Sequence, residues 1–375
     1  MELLVGAVRP GQVIDRAEVN RLLGGAGPDV LLGFADYHGV AGMAYEALRP
    51  VLDPGNPLLL ELKARYVRGV TGHMHVTHGL EQVRAALDPL GCEWAVIKGP
   101  AVVEMLYDGA PGRRAYGDLD LLVHPAGFAD AVDALGGMGA KLLDRNWRVL
   151  RRDMRGEVHL ILPSGVLVDL HWNLINMYRG RMRIDTAEVI ARRRHVDAGG
   201  LGFPSLDAED AILHLALHAA LSGGDRLLWL KDLERAVAIW RPDWELVIER
   251  AHRWSVGPPV GLLLARAHNV LSADVPHTVT DRLIGGGMRR LARWVDRVSP
   301  WEYGMGRLAA PTRLMARSIG KGPLGAPVWV LWRTIRNLDR GQERRSLTFT
   351  PRGDERDRQA FMDAVVAIGR GSPRS

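Results

Sequence analysis

The apolar positions of this chain follow two periods. Over residues 1–90 they recur at helical spacing, from Val30, Leu31, Leu32 and Phe34 through Ala44 and Leu48, and again at Leu58, Leu62, Tyr66 and Val70. Pro54-Gly55-Asn56-Pro57 breaks the two runs apart, and residues 81–87 predict a further amphipathic helix ending near Pro89 and Gly91. From about residue 92 to 172 the period shortens. Residues 94–97 read as a short apolar strand. Gly99 and Pro100 read as a turn into a helix through Val102, Val103 and Leu106, and residues 119–123 as the next strand. A helix over about 125–135 follows. Residues 147–151 and 158–162 read as the arms of a hairpin around Met154-Arg155-Gly156, and 166–171 as a strand pairing next to it. After residue 205 helical spacing returns, strongly over 208–221 and 227–240.

This order predicts an α+β chain: a small mixed β-sheet with helices on one face, flanked by N-terminal and C-terminal helical regions. The expected divisions are an N-terminal helical region over 1–90, a sheet core over 91–204, a helical domain over 205–340, and a charged, Gly/Pro-punctuated tail over 341–375. The tail is expected to be partly disordered, with a short helix near 361–368.

Composition changes the picture only in places. At 375 residues, 47% hydrophobic and 25% charged, the chain is long enough for two or three domains. A single cysteine, Cys92, excludes an internal disulfide framework and a cysteine-rich zinc site. The first residues lack a basic stretch followed by a long apolar run, and no run of about 18 uncharged apolar residues exists. The expectation is a cytoplasmic protein with no stable membrane insertion. The net charge of +6 is uneven: residues 281–375 hold 19 Lys and Arg against 9 Asp and Glu, which leaves the first 280 residues at −4. A basic C-terminal region can attract an acidic partner or RNA, and it also fits a solvated arginine-rich surface.

The chemistry concentrates at Gly117-Asp118-Leu119-Asp120-Leu121-Leu122-Val123. Side chains alternate along a strand, so Asp118 and Asp120 share one face while Leu119, Leu121 and Val123 enter a core. Adjacent carboxylates repel, an arrangement suited to a divalent cation. In Val166-Leu167-Val168-Asp169-Leu170-His171-Trp172, Leu167, Asp169 and His171 share a face. If the two strands are neighbours, three carboxylates converge in a cage for Mg²⁺ (or Mn²⁺) that also binds triphosphate oxygens. Lys98-Gly99-Pro100 marks a strand end, a turn and a helix start: Gly99 permits close approach of the backbone to phosphate, and Lys98 supplies positive charge.

These segments, with Leu106-Tyr107 and Arg114, resemble the bacterial uncharacterised nucleotidyltransferase family of the DNA polymerase β-like superfamily. The similarity continues through Leu213-His214-Leu215, His218 and Leu228-Trp229-Leu230-Lys231-Asp232, with a lead-in at His38-Gly39-Val40. It covers about residues 25–270. The resemblance implies a nucleotidyltransferase sheet core in which Asp118, Asp120 and Asp169 hold two Mg²⁺ ions. It implies transfer of NMP from an NTP to a hydroxyl acceptor with release of pyrophosphate. Lys98, Gly99, Arg114 and His171 are the expected nucleotide-binding residues. The wider superfamily carries Gly-Ser or Gly-Gly where this chain has Lys98-Gly99-Pro100, and Pro100 offers neither N–H nor hydroxyl. The choice among ATP, CTP and other nucleotides therefore stays open, as does the acceptor: a small molecule, a peptide, a protein or an RNA end. The alternative is a non-catalytic protein that keeps the fold and binds nucleotide, or an acidic partner or RNA through its basic C-terminal region.

Other candidates read as structural. His214 and His218 have the spacing of a helical zinc pair, but Leu-Ala-Leu between them lacks the glutamate of a metalloprotease motif, so helix packing is favoured. His73, His75 and His78 have no metal-ligating neighbours in sequence. Asp232 faces the site or pairs with Arg226 or Arg235, and the sequence does not choose.

Overall fold

A computed structural model describes the chain except residues 13, 24–26, 177–181, 286–289, 291–292, 294–296, 298–347 and 372–375, and the side chains of 22 and 23. Its helices are α1 (Glu2–Val8), α2 (Arg16–Leu23), α3 (Pro28–His38), α4 (Ala41–Leu48), α5 (Pro57–Leu87), α6 (Pro100–Leu106), α7 (Phe128–Gly137), α8 (Trp147–Asp153), α9 (Thr186–Ala191), α10 (Ala208–Ser222), α11 (Leu227–Trp240), α12 (Trp244–Arg253), α13 (Gly257–Leu271), α14 (His277–Ile284) and α15 (Glu355–Gly369). Its strands are β1 (Trp94–Val96), β2 (Asp118–Val123), β3 (Lys141–Leu142), β4 (Glu157–Ile161), β5 (Leu167–His171), β6 (Arg194–Ala198) and β7 (Leu201–Ser205). They form one mixed sheet in the order β3-β4-β5-β2-β1-β7-β6, so the α+β expectation holds. Among the described residues, no helix is long and apolar enough to cross a membrane.

The chain makes two compact units, each discontinuous in sequence. A helical unit takes Met1–His73, Met105–Tyr116 and the described residues of 208–297. A sheet unit takes Met74–Glu104, Gly117–Asp207 and the described residues from Thr348 onward. The boundaries therefore do not follow chain order. The two helices expected before residue 90 are one 31-residue helix, α5, whose halves belong to different units.

In the sheet unit, β2 is the middle strand. It pairs parallel with β5 and antiparallel with β1, and its residues from Leu119 to Val123 are buried. That explains the near-continuous apolar run behind Asp118. Residues 147–151, expected as a strand, form α8 instead. Trp147 and Leu150 bury on one helical face, the Asn146 side chain accepts from the Val149 N–H as an N-cap, and Met154 closes the helix at a φ of 41°. The antiparallel pair β6–β7 goes beyond the expected strands; it turns through Gly199 and Gly200, both at positive φ, with Asp197 Oδ1 accepting from the Gly200 N–H at 2.8 Å. In the tail, α15 packs against α7 and α8. Phe361, fully buried, stands edge-on to Phe128 and tilted against Trp147. Residues 341–347 of the expected tail, and most of the basic stretch from 281, lie outside the described residues.

The helical unit is organised by buried polar contacts. The Asp232 carboxylate receives two bonds from Arg114 Nε at 2.9 and 3.1 Å, one from Nη2 at 2.9 Å, and one from the Tyr107 hydroxyl at 2.7 Å. Arg114 and Asp232 are 6% and 1% exposed, so this fork-shaped pair is shielded from water. Arg235 donates to the Leu106 carbonyl at 2.6 Å. His38 is buried at the end of α3 and accepts the first N–H of α11, from Leu227, on its Nδ1 at 3.2 Å. Gly42 permits the closest backbone approach in this unit: a Cβ there would lie 1.7 Å from the Gly112 carbonyl oxygen.

Candidate metal and nucleotide site

The parallel register of β2 and β5 sets Asp120 directly opposite Asp169, with Asp118 opposite Leu167 and Leu122 opposite His171. On the other side of β5, antiparallel β4 sets His159 opposite Asp169 and Glu157 opposite His171. One face of three adjacent strands therefore carries Asp118 and Asp120, Asp169 and His171, and Glu157 and His159. The period-two alternation of each strand makes this possible. A ligand atom from each of Asp120, Asp169 and His171 falls within 4.8 Å of the other two. Asp120 is 2% exposed on the middle strand, which excludes the reading of these aspartates as a solvent-facing edge.

Lys98 follows β1 and lies 2.8 Å through its Nζ from Asp120 Oδ1. His171 Nε2 is 3.4 Å from the same oxygen, and its Nδ1 is 3.2 Å from Glu157 Oε2. Gly99, at a φ of 56°, turns the chain from Lys98 into α6, and its carbonyl accepts from the Val103 N–H at 3.1 Å. Beyond β5, His159 Nε2 lies 3.7 Å from Asp169 Oδ1. Its Nδ1 lies 2.7 Å from Asp144 Oδ2, which also accepts the His159 backbone N–H at 2.7 Å.

The charges are unequally compensated. Burial alone would raise the Asp120 carboxyl, but Lys98 and then His171 outweigh it and hold Asp120 well below the usual carboxylate range. Burial raises Asp169, and the neighbouring Asp120 and Asp118 add to the rise against the opposing pull of His159. Burial opposes protonation of His159, yet the Asp144 hydrogen bond and charge carry it up to about 9. His171 is likewise raised, with Glu157 and Asp120 overcoming burial.

The residues present fit a divalent cation. Asp169 Oδ1 is buried without a hydrogen bond, Asp120 Oδ1 carries only the Lys98 and His171 contacts already given, and a carboxylate oxygen keeps lone pairs beyond these; His171 offers one nitrogen to a cation once its ring is neutral. Carboxylate oxygens suit Mg²⁺ or Mn²⁺, and one imidazole is a donor that Mn²⁺ accepts readily. A cation entering here meets Lys98 already paired with Asp120.

Of the residues singled out in the sequence, Lys98, Gly99, Asp118, Asp120, Asp169 and His171 all belong to the sheet unit. Asp120, Asp169 and His171 form the tight cluster, and Asp118 lies two residues earlier on the same strand face. Arg114 belongs to the helical unit, where its guanidinium is engaged by Asp232. Glu157, His159 and Asp144 join the site without having been singled out. The only signal for the first two was their alternation with Val158 and Leu160, and nothing in the sequence connects Asp144 to His159, 15 residues on. His214 and His218 lie tilted against each other on one face of α10, and His218 meets Trp229 edge-on, in keeping with helix packing.

Beside this cluster opens a cavity of about 650 Å³, lined by Asp118 and Asp169 at one side and reaching across β4 to Asp144, Leu150 and Phe349. A family model described as "Uncharacterised nucleotidyltransferase" matches residues 25–272. No curated protein and no solved structure matches the chain.

Proposed function

The chain belongs to the uncharacterised nucleotidyltransferase family, part of the DNA polymerase β-like superfamily, and on that premise we propose that it is a metal-dependent nucleotidyltransferase moving NMP from an NTP to a hydroxyl acceptor. The observation that carries this reading is the approach of Asp120, Asp169 and His171 donor atoms within 4.8 Å of one another on adjacent parallel strands. Asp118, Asp120 and Asp169 are the carboxylates that would hold Mg²⁺ or Mn²⁺. When bound, the cation supplies charge neutralisation at the triphosphate and eases loss of the acceptor proton.

This chain's own groups divide the remaining work. Lys98 and the Gly99 turn face the anionic triphosphate. His171, bracketed by Glu157 and Asp120, fixes the Asp120 carboxylate. Asp169 orients the acceptor hydroxyl and takes its proton. The hydroxyl oxygen forms a bond to the α-phosphorus, the α–β bridging oxygen leaves with pyrophosphate, and no covalent enzyme intermediate is needed. Arg114, expected to contact nucleotide, has its guanidinium held by Asp232 within the helical unit.

A second reading, nucleotide binding without turnover, is favoured by the Lys98 ammonium on Asp120 at 2.8 Å, since a fixed cation can stand in for part of a metal's charge. One assay separates the two: pyrophosphate release from each of ATP, CTP, GTP and UTP, with Mg²⁺ or Mn²⁺ and a cell-extract pool of acceptors. The transferase reading expects release that falls at least a hundredfold in Asp120→Asn and Asp118→Ala. Nucleotide binding with no release in the wild type supports the second reading.

A further inference from the structure

Electrostatics sorts the two substrates of such a site to opposite sides. Lys98 lies on the β1 side of the aspartates, where an anionic triphosphate is attracted. The cavity lies on the β5–β4 side, where Asp118, Asp169, Glu157 and Asp144 face Arg155 and His159 as the lining cations. In the cation-free protein, four carboxylates against two cations repel phosphate and attract an ammonium group.

Two further observations give the cavity a shape. Asp144 is 1% exposed, and while its Oδ2 is held by His159, its Oδ1 is buried with no hydrogen bond. A buried carboxylate oxygen of this kind lacks a donor that a ligand can supply. The same cavity is lined by the apolar side chains of Leu143, Leu150, Ile161 and Leu167 and by Phe349, which is 41% exposed and stands edge-on to His159 at 5.8 Å. An aromatic ring and an unsatisfied carboxylate lining one cavity, both against His159, are favourable groups for an organic cation.

Thr348 and Phe349 lie outside the family match, which ends at residue 272. They are nevertheless fastened to the sheet unit: the Thr348 carbonyl accepts from the Arg145 and Asn146 N–H groups at 2.7 and 2.9 Å, and Arg352 N–H donates to the Arg145 carbonyl at 3.1 Å. This wall is therefore supplied by residues beyond those that the family model matches.

We propose that the cavity walled by Asp144, Asp169 and Phe349 is the acceptor pocket and that it takes a hydroxyl compound carrying an ammonium group at the far end of an apolar body. The ammonium seats between Asp144 and Phe349, and the hydroxyl reaches Asp169. The imidazole of His159 bridges the two carboxylates, so the amine and hydroxyl are separated by about the span of a ring rather than carried on adjacent carbons. The inference rests on the transferase reading for the name acceptor, but the pocket is testable without any transfer.

The test titrates the full chain, without nucleotide, by calorimetry with three para-substituted probes that differ at one group: 4-(aminomethyl)benzyl alcohol, 4-methylbenzyl alcohol and 4-(hydroxymethyl)benzoate. The amine is expected to bind at least tenfold tighter than the methyl compound, and the carboxylate weakest. Asp144→Asn should abolish the preference for the amine, and Phe349→Ala, at an exposed position, should weaken both the amine and methyl compounds several-fold. Circular dichroism of each variant confirms the fold. Equal binding of all three probes, tighter binding of the carboxylate, binding of none, or an amine preference that survives in Asp144→Asn overturns the pocket assignment. Loss of the transferase reading shows separately, as pyrophosphate release that does not depend on Asp120.

Discussion

Asp120 and Asp169 are direct partners across a parallel strand pair, yet their carboxyls are driven in opposite directions: Lys98 and His171 hold Asp120 down, while burial and the neighbouring aspartates push Asp169 up. Lys98 and His171 compensate Asp120 more fully than His159, 3.7 Å away, compensates Asp169, so in the metal-free protein the strain of the like-charged pair falls on Asp169.

It follows that Asp169→Asn, which keeps the shape and removes the repulsion, stabilises the metal-free protein, with a rise in Tm of about 2 °C or more. The same variant should lose Mn²⁺ affinity at least tenfold. Thermal melting with and without Mn²⁺ reads both effects. A drop in the metal-free Tm would show that Asp169 is already well compensated.

Asp232 is the anchor of the helical unit. Asp232→Ala leaves the Arg114 guanidinium buried without its counter-charge and the Tyr107 hydroxyl without its acceptor, and is expected to cost about 3–5 kcal/mol. Urea denaturation measures it. A loss under about 1 kcal/mol would mean that the pair is solvated in solution.

Acid should loosen the same unit through His38. Burial, then the nearby positive charge of Arg226, lowers this imidazole from 6.5 to about 4. The folded state thus prefers the neutral ring, which also lets Nδ1 accept from Leu227. Stability from this group is complete above about pH 6.5 and is lost as pH falls toward 4, by roughly 3 kcal/mol in all. His38→Asn, which retains an acceptor without a titrating ring, should flatten that part of the stability–pH curve between pH 6.5 and 4.

Phe361→Ala should destabilise the sheet unit by about 3–5 kcal/mol, because the ring fills the space between Phe128 and Trp147. Limited proteolysis followed by mass spectrometry would show α15 cut first. Stability unchanged by the substitution would mean that α15 is only loosely docked.

The alternation in 118–123 and 166–171 made the aspartate strands legible, because a period of two survives in short segments and places carboxylates on a common face without any tertiary knowledge. The α5 helix was only half read, since the window between Val70 and Glu81 carries His73, His75 and His78 where an apolar stripe would be expected. Trp147 and Val149 alternate like a strand, and the cap at Asn146 that decides for helix is a single local hydrogen bond. Gly199-Gly200 is a hairpin signal, but Pro204 inside β7 argues against a strand unless that strand sits near a sheet margin, as β7 does. The partner of Asp232 proved to be Arg114, 118 residues away, rather than Arg226 or Arg235, and no local pattern carries such a pairing. The same holds for Asp144 and His159, which owe their contact to the adjacency of β3 and β4.

The position of Phe361 has a consequence for how the protein is made. The strands of the sheet are complete by Ser205, but the ring that fills the gap beside Phe128 and Trp147 is translated long afterward. At ordinary ribosomal speeds the nascent sheet waits on the order of ten seconds for it. Through that interval the surface that Phe361 will cover, beside Phe128 and Trp147, is open to misdocking.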